Sequence, residues 1–410
     1  MKKLFINIVL AITATLPGIF VRLAGIRLGP LNTTIIFFIA LLSAGLLLSW
    51  GVEAAEKHVA KGLAIAVLAL ITVLPEYAVD IYYSYQAGNH PGSEYVGFAA
   101  ANMTGANRLL VGMAWPLIVL LYWWRSKKKG IELHRENLIE IGFLALSSLY
   151  SFVIVLKSRI DIFDTIVLVA IYFLYLWRVS KGTREEAVEE AEVGPSAALT
   201  KLPKQKQYLI IICMAVYAAF VILLSAEPFA ESLISSGESL GFNKFLLIQW
   251  LAPLASEAPT VIVMILMTLA LLPTSALSAL ISDKINQWTL LVGMIPLAYS
   301  IGLGHMGHLP LDARQGEEFF LTAAQSLFAL SLLLCLRLSL TSSLALLGLF
   351  LVQIIIAFIY SNDEPKTIVS LTWLAWIYLA LTITVIIFKR KCLMSVIKQW
   401  QAKKPNEIIH

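Results

Sequence analysis

Glu76 and Glu257 are acidic residues in otherwise apolar surroundings, ALITVLPEYAVD and WLAPLASEAPTVIV. Each is followed 36 residues later by the glycine of one pentapeptide, LLVGM, at Leu109–Met113 and Leu290–Met294 (112 − 76 = 36; 293 − 257 = 36). A single offset of 181 superimposes both features. A carboxylate at the bilayer centre costs roughly 3 kcal/mol or more on insertion scales. A chain that carries this twice, at matching positions, is expected to use it to bind something cationic. Pro75 precedes Glu76, and Pro253 and Pro259 flank Glu257. Proline removes an N–H and frees a carbonyl one turn back. A freed carbonyl beside a carboxylate is a good oxygen ligand for a hard cation, so a helix break is expected at each acid.

The elements that must position these acids are membrane helices. The 410 residues are 59% hydrophobic and 14% charged, with a mean hydropathy of +0.81; soluble domains run at about 25% charged. Apolar stretches of about 17–25 residues recur along the chain, as a bilayer core of roughly 30 Å demands. They lack the alternation of a barrel, so the fold class is an all-α polytopic membrane protein. Twelve helices are expected, over 6–26, 33–51, 61–87, 95–123, 138–156, 162–178, 207–226, 243–271, 275–303, 317–336, 341–360 and 367–388. The opening MKK resembles a secretory signal, but no small-x-small cleavage site follows it. Cys213, Cys335 and Cys392 lack metal-ligand spacing, and no disulfide is expected of them. The net charge of +5 reflects loop lysines and arginines; no basic, aromatic-interleaved patch suggests a nucleic-acid partner.

Lysine and arginine set orientation. With both termini cytoplasmic, 22 of the 31 fall on inside segments and seven, including Arg314, outside. Arg108 and Lys284 remain inside the membrane reading. The helices carrying Glu76 and Glu257 are the third and eighth, and an odd separation makes the two repeats face opposite ways. Inverted repeats place a site near the midplane at their interface. The organisation expected is an extra N-terminal helix (1–32), a first repeat (33–180), a cytoplasmic linker (181–206), a second repeat (207–360), and an extra C-terminal helix and tail (361–410). The linker is read as a solvated tether with room for a short acidic helix. Glu53, Glu56, Glu227 and Glu231 are read at helix ends, in vestibule or cap roles. His305 and His308 are read as surface residues.

At these residues the chain resembles the cation/calcium exchanger superfamily, which includes sodium/calcium and proton/calcium exchangers. That family carries two inverted repeats. Each has a helix with a Gly-Thr-Ser-Leu-Pro-Glu type motif, then one with a Gly-Ser-Asn type motif ending in an LLVLG-like run. Here the first motif reads ITVLPE (Ile71–Glu76), with AANMTGANRLLVG (Ala100–Gly112) as its partner; the second reads APLASE (Ala252–Glu257), with ISDKINQWTLLVG (Ile281–Gly293). The resemblance covers about residues 33–360 and implies a ten-helix core with one helix added at each end. The departures are specific. Of the family's Thr and Ser ligands the first repeat keeps Thr72 and has Val73; the second has Pro253 and Leu254, with Ser256 in place of the proline. The second-motif asparagine has two registers, Asn102 and Asn107, whose mates at the offset of 181 are Asp283 and Trp288.

The resulting candidates are Glu76 and Glu257 as cation ligands, with a structural ion pair as the alternative for each. Asp80, one turn after Glu76, is a ligand or a vestibule acid. Asn107 and Asn102 are ligands or interhelical hydrogen-bonding groups. Asp283 is a ligand or an ion-pair member, with Asn286 and Gln287 as further polar contributors. Thr72 and Ser256 are ligands, or bond back to a helix carbonyl. Arg108 and Lys284 are charge-compensating cations that repel metal ions and pair with carboxylates. Gly105 and Gly112 are expected to allow close helix packing. The function implied is a secondary antiporter in the cell membrane. It would exchange calcium or a similar cation for sodium or protons by alternating access; inorganic cations, bound transiently, and the lipid bilayer are its expected partners, and no cofactor is expected. A non-transporting sensor or scaffold is the alternative. An intramembrane enzyme is remote, because no HExxH, P-loop or nucleophile–base pair is present.

Overall fold

The computed structural model describes residues 2–55, 73–180, 195–199 and 202–394. Among the described residues, apart from four short strands, the regular structure is helical. The first half runs α1 (Lys2–Leu23), α2 (Pro30–Ala55), α3 (Leu74–Asn89), α4 (Tyr95–Leu109), α5 (Trp115–Ser126), α6 (Leu138–Lys157) and α7 (Ile162–Ser180). After α8 (Pro195–Leu199) the second half runs α9 (Lys204–Leu240), α10 (Lys244–Leu269), α11 (Pro273–Asn286), α12 (Val292–Leu303), α13 (Ala313–Leu333), α14 (Leu340–Ile359) and α15 (Glu364–Phe388). Among the described residues nine helices are long and apolar enough to cross a membrane. The other expected positions hold α3, the α11–α12 pair and α13, each shorter, interrupted or more charged.

The two halves share an interruption. α4 passes into α5 through a π-helical turn, Leu110–Ala114, and α11 into α12 through another, Gln287–Leu291. Both fall at the repeated LLVG, the second one turn earlier in its half (287 − 110 = 177, against 181). A π-turn inserts one residue and rotates everything beyond it, which is why such turns gather at functional sites.

Two antiparallel ribbons tie the loops. β1 (Gly130–Glu132) pairs with β4 (Arg337–Ser339), and β2 (Arg159–Ile160) pairs with β3 (Leu309–Pro310). The loop after α5 therefore shares a face with the loop after α13, and the loop after α6 with that after α12. α2 lies along α9 and α10, α3 against α12, α4 against α10, and α13 between α15, α6 and α4. α15 is thus a packed neighbour of the second half, not a loose addition.

Four expectations are corrected. α9 runs for 37 residues, about 55 Å at 1.5 Å per residue, instead of stopping near 226. Its extension carries Glu227 and Glu231 mid-helix because both find partners: Arg22 pairs with Glu227, and the Tyr82 and Tyr95 hydroxyls donate to Glu231, each at 2.5 Å. Within the expected linker the described helix is α8, which docks on α1 and α2 with Leu199 buried. The acidic stretch before it lies outside the described residues. Arg314, expected in a loop, lies in the first turns of α13 and is buried. Finally, Cys335 and Cys392 form a disulfide. Chain order placed them 57 residues apart, and only the packing of α15 on α13 brings them together.

Candidate cation site

Only one of the two acids sits at a helix start. α3 starts at Leu74, with Pro75 in its first turn and Glu76 next to it, so Pro75 costs no intrahelical hydrogen bond. α10, by contrast, is continuous through Pro253 and Pro259, which corrects the expectation of a second break. The surroundings accommodate the prolines. Ser256 donates its hydroxyl to the carbonyls of Ala252 and Pro253, at 3.4 and 3.3 Å. The carbonyl freed by Pro253 belongs to Gln249, four residues earlier, and it lies against Gly105 of α4. A Cβ built on Gly105 would stand 1.8 Å from that oxygen. On α2, Gly45 takes both motif helices: a Cβ there would meet Pro259 Cγ at 2.5 Å and Pro75 Cγ at 3.6 Å. Bare backbone at these two positions lets α2, α3, α4 and α10 converge on the site.

Glu76 and Glu257 meet at that convergence, close enough for a hydrogen bond between their carboxyl groups. Gln287, the first residue of the second π-turn, donates its amide to Glu257 Oε1 at 2.7 Å and to Glu76 Oε2 at 3.4 Å. Both glutamates are at most 3% exposed. One turn beyond Glu76, Asp80 accepts from the Asn102 amide at 2.7 Å. One turn before Gln287, Asp283 lies within electrostatic reach of Glu257. Tyr77 donates to Asn286 Oδ1 at 2.9 Å, joining α3 to α11. Five enclosed oxygens in this chamber lack a hydrogen-bond partner: Glu76 Oε1, Asp80 Oδ2, Asn102 Oδ1, Asp283 Oδ2 and Gln287 Oε1. Unsatisfied buried acceptors are costly, and a set of carboxyl and amide oxygens suits a hard cation. Among the described residues no three His, Cys, Asp or Glu side chains form a ready-made metal cluster, so neutral oxygens would have to complete the shell.

The remaining candidates separate. Asn107 is engaged by Lys284: its amide donates to the Met103 carbonyl, and its side-chain oxygen accepts from Lys284 Nζ at 2.8 Å. Lys284 also donates to the Asn107 carbonyl at 2.9 Å and lies within electrostatic reach of Glu76 and Glu257. Its Nζ therefore lies beside the site. Arg108 points elsewhere: its guanidinium pairs with Glu318 of α13, with both side chains fully buried, and stacks 5.2 Å from the Trp250 ring. Glu318 escaped the sequence reading. The signal was present, two adjacent glutamates and Arg314 at the head of an apolar helix, but nothing local links them to Arg108. Ser256 points its hydroxyl back to its own helix. Thr72 lies outside the described residues. Gly112 does allow close packing, its Cα facing Phe350.

Similarity to known proteins identifies the family. The family model described as "Sodium/calcium exchanger protein" matches residues 30–181. The crystal structure of the H+/Ca2+ exchanger CAX is 39% identical over 97% of this chain and 97% of its own, with a TM-score of 0.88. The sodium-calcium exchanger NCX_Mj, in crystals soaked with 2.5 mM Na+ and 0.1 mM Ca2+, is 18% identical over 79% of this chain and 97% of its own, at a TM-score of 0.53; this likeness concerns the fold alone. A search of curated protein sequences returns no match. With two acidic motifs at one offset, helices that bring the two glutamates together, and end-to-end similarity to a solved exchanger, the chain belongs to the cation/calcium exchanger superfamily.

Proposed function

We propose that this exchanger moves calcium, or a cation of similar size and charge, against protons. The cation would bind between Glu76 and Glu257, with Asp80, Asp283 and the oxygens of Asn102 and Gln287 as further ligands. The observation that carries this reading is the meeting of the two glutamates, one from each half, in a chamber with five unpartnered buried oxygens. Two carboxylates neutralise one divalent charge, so a loaded site faces little electrostatic cost in crossing the bilayer. Unloaded, the same pair needs protons, because adjacent buried carboxylates cannot both stay charged without a compensating ion. Protons and the metal ion thus compete for the same oxygens, and exchange follows. Protons are favoured over sodium for a specific reason. Lys284, when protonated, would supply a monovalent positive charge beside the site, and Ser256 turns its hydroxyl to its own helix. The similarity to an H+/Ca2+ exchanger supports the same choice.

Alternating access would come from residues 33–180 and 207–360 acting as inverted repeats in the cell membrane, with both termini in the cytoplasm. The ribbons support this topology, since each joins two loops expected on the same face. The offset supports it as well: β1 moved by 181 starts at 311, beside β3, and β2 at 340, beside β4. The test is calcium uptake by proteoliposomes under an imposed pH or sodium gradient. Uptake driven by pH, insensitive to sodium and abolished in both Glu76→Gln and Glu257→Gln, is expected. Sodium-driven uptake would reverse the choice of counter-ion, and full transport in both variants would remove the site.

A further inference from the structure

Arg108 leads away from the cation chamber into a second buried charge cluster. Glu318 receives Arg108 from α4 and Arg314 from its own helix. Its neighbour Glu317 is also buried, yet its nearest cation contact is Arg314 at 3.6 Å, against 2.5 Å from Arg314 to Glu318; the carboxyl oxygens of both glutamates lack a hydrogen-bond partner. Two further groups that are at least nine-tenths buried turn toward this place with polar atoms unsatisfied. Gln325 donates to the Arg108 carbonyl at 3.5 Å and leaves its own oxygen unpartnered. The Tyr378 hydroxyl of α15, within reach of the Arg108 charge, has no partner. On α6, Lys157 and Tyr150 are held by Asp164; Arg337 on β4 lies beyond the opposite end of α13. Moved by 181, Glu317, Glu318, Arg314 and Arg108 fall on Glu136, Asn137, Leu133 and Thr289, and Glu136 is exposed. The cluster therefore belongs to one side of the molecule only and is not a requirement of the repeated frame.

Four charges buried in a membrane protein are expensive unless they work. We infer that Glu317 is a proton-binding site separate from the cation chamber and coupled to it through Arg108, Asn107 and Lys284. Glu318, held by both arginines, serves as the tether, while Glu317 is the carboxylate free to react. It takes up one proton and becomes a neutral acid. Two arginines and two glutamates sum to zero; with Glu317 neutral the cluster carries one positive charge. Asn107, the residue next to Arg108, is hydrogen-bonded to Lys284, and Lys284 is within electrostatic reach of Arg108 on one side and of Glu76 and Glu257 on the other, so the added charge reaches the chamber through this relay in a medium of low dielectric. Proton uptake at Glu317 thereby lowers affinity for the divalent cation. This rests on the calcium–proton reading above.

The experiment is calcium binding by purified full-length protein across pH, wild type against Glu317→Gln. The slope of log Kd against pH counts the protons displaced per ion, as proton linkage requires. Removing one coupled proton is expected to flatten that slope by about one, a loss of about tenfold in pH sensitivity per pH unit. The same variant is expected to bind calcium more weakly than wild type at alkaline pH. An unchanged slope in a variant that still binds calcium overturns the inference alone. Absence of calcium binding by the wild type overturns both it and the reading on which it rests. If Glu317→Gln does not fold, Glu317→Asp decides: a displaced pH midpoint supports the proton site, and an unmoved one overturns it.

Discussion

Replacing Gly105 with alanine tests whether bare backbone is what lets the two motif helices converge. The added Cβ would stand 1.8 Å from the Gln249 carbonyl oxygen and 2.8 Å from its carbon. Ordinary contact begins at 3.4 Å, so α4 and α10 must part by about 1.6 Å (3.4 − 1.8). The obstacle is main chain, which cannot swing aside as a side chain can. Two opposed terms set the sign. Alanine favours a helix interior over glycine by about 1 kcal/mol, whereas overpacking costs about 1–3 kcal/mol, and more where backbone must move. The steric term wins. The functional loss is expected to exceed the loss of stability. Gln249 lies eight residues before Glu257 on the same helix, and Gly105 lies between Asn102 and Arg108, so a slip of this size moves the carboxylates apart. A misplacement of about 1 Å at a reacting site can cost on the order of a hundredfold. The assay is calcium exchange in proteoliposomes together with the thermal midpoint in detergent. Gly348→Ala serves as control, since nothing lies within 4 Å of its Cβ position. Wild-type flux and midpoint in Gly105→Ala would refute the contact between α4 and α10 on which this site depends.

Gln287→Leu keeps the volume but removes the amide that spans Glu257 and Glu76; calcium affinity is expected to fall by about 1.5–3 kcal/mol, the range for hydrogen bonds to charged groups, read as the shift in half-saturating calcium. Lys284→Met should release Asn107 and remove any charge that Lys284 carries beside the site. If that charge stands where a monovalent ion would otherwise bind, the variant gains a sodium dependence that wild type lacks, and unchanged ion selectivity would count against the assignment. The disulfide predicts one maleimide-reactive thiol, Cys213, in denatured unreduced protein and three after reduction. Closing a chain segment of 57 residues is worth about 4 kcal/mol in the chain-entropy model, so Cys335→Ser is expected to lower the thermal midpoint.

Sequence alone determined the class, the acids and the repeat. Hydropathy fixes membrane helices because lipid leaves a backbone no other partners, and an isolated glutamate in such a helix stands out because burying it is costly. Glu76, Glu257 and Asp80 were legible for this reason, and the offset of 181 already implied that the two glutamates belong together. What needed the tertiary structure was every assignment of one polar group to another. Asn107 went to Lys284 and Asn102 to Asp80, although both asparagines lie on one helix five residues apart; helix rotation and the facing partner separated them. Arg108 found Glu318, 210 residues away, and Cys335 found Cys392 through the packing of α15 on α13. Pro253 signalled a broken helix, yet α10 stayed whole because Gly105 left room for the freed carbonyl. A hydrogen bond or ion pair between distant segments depends on how helices pack, and packing is set by shapes on several elements at once. No local stretch of sequence carries that information.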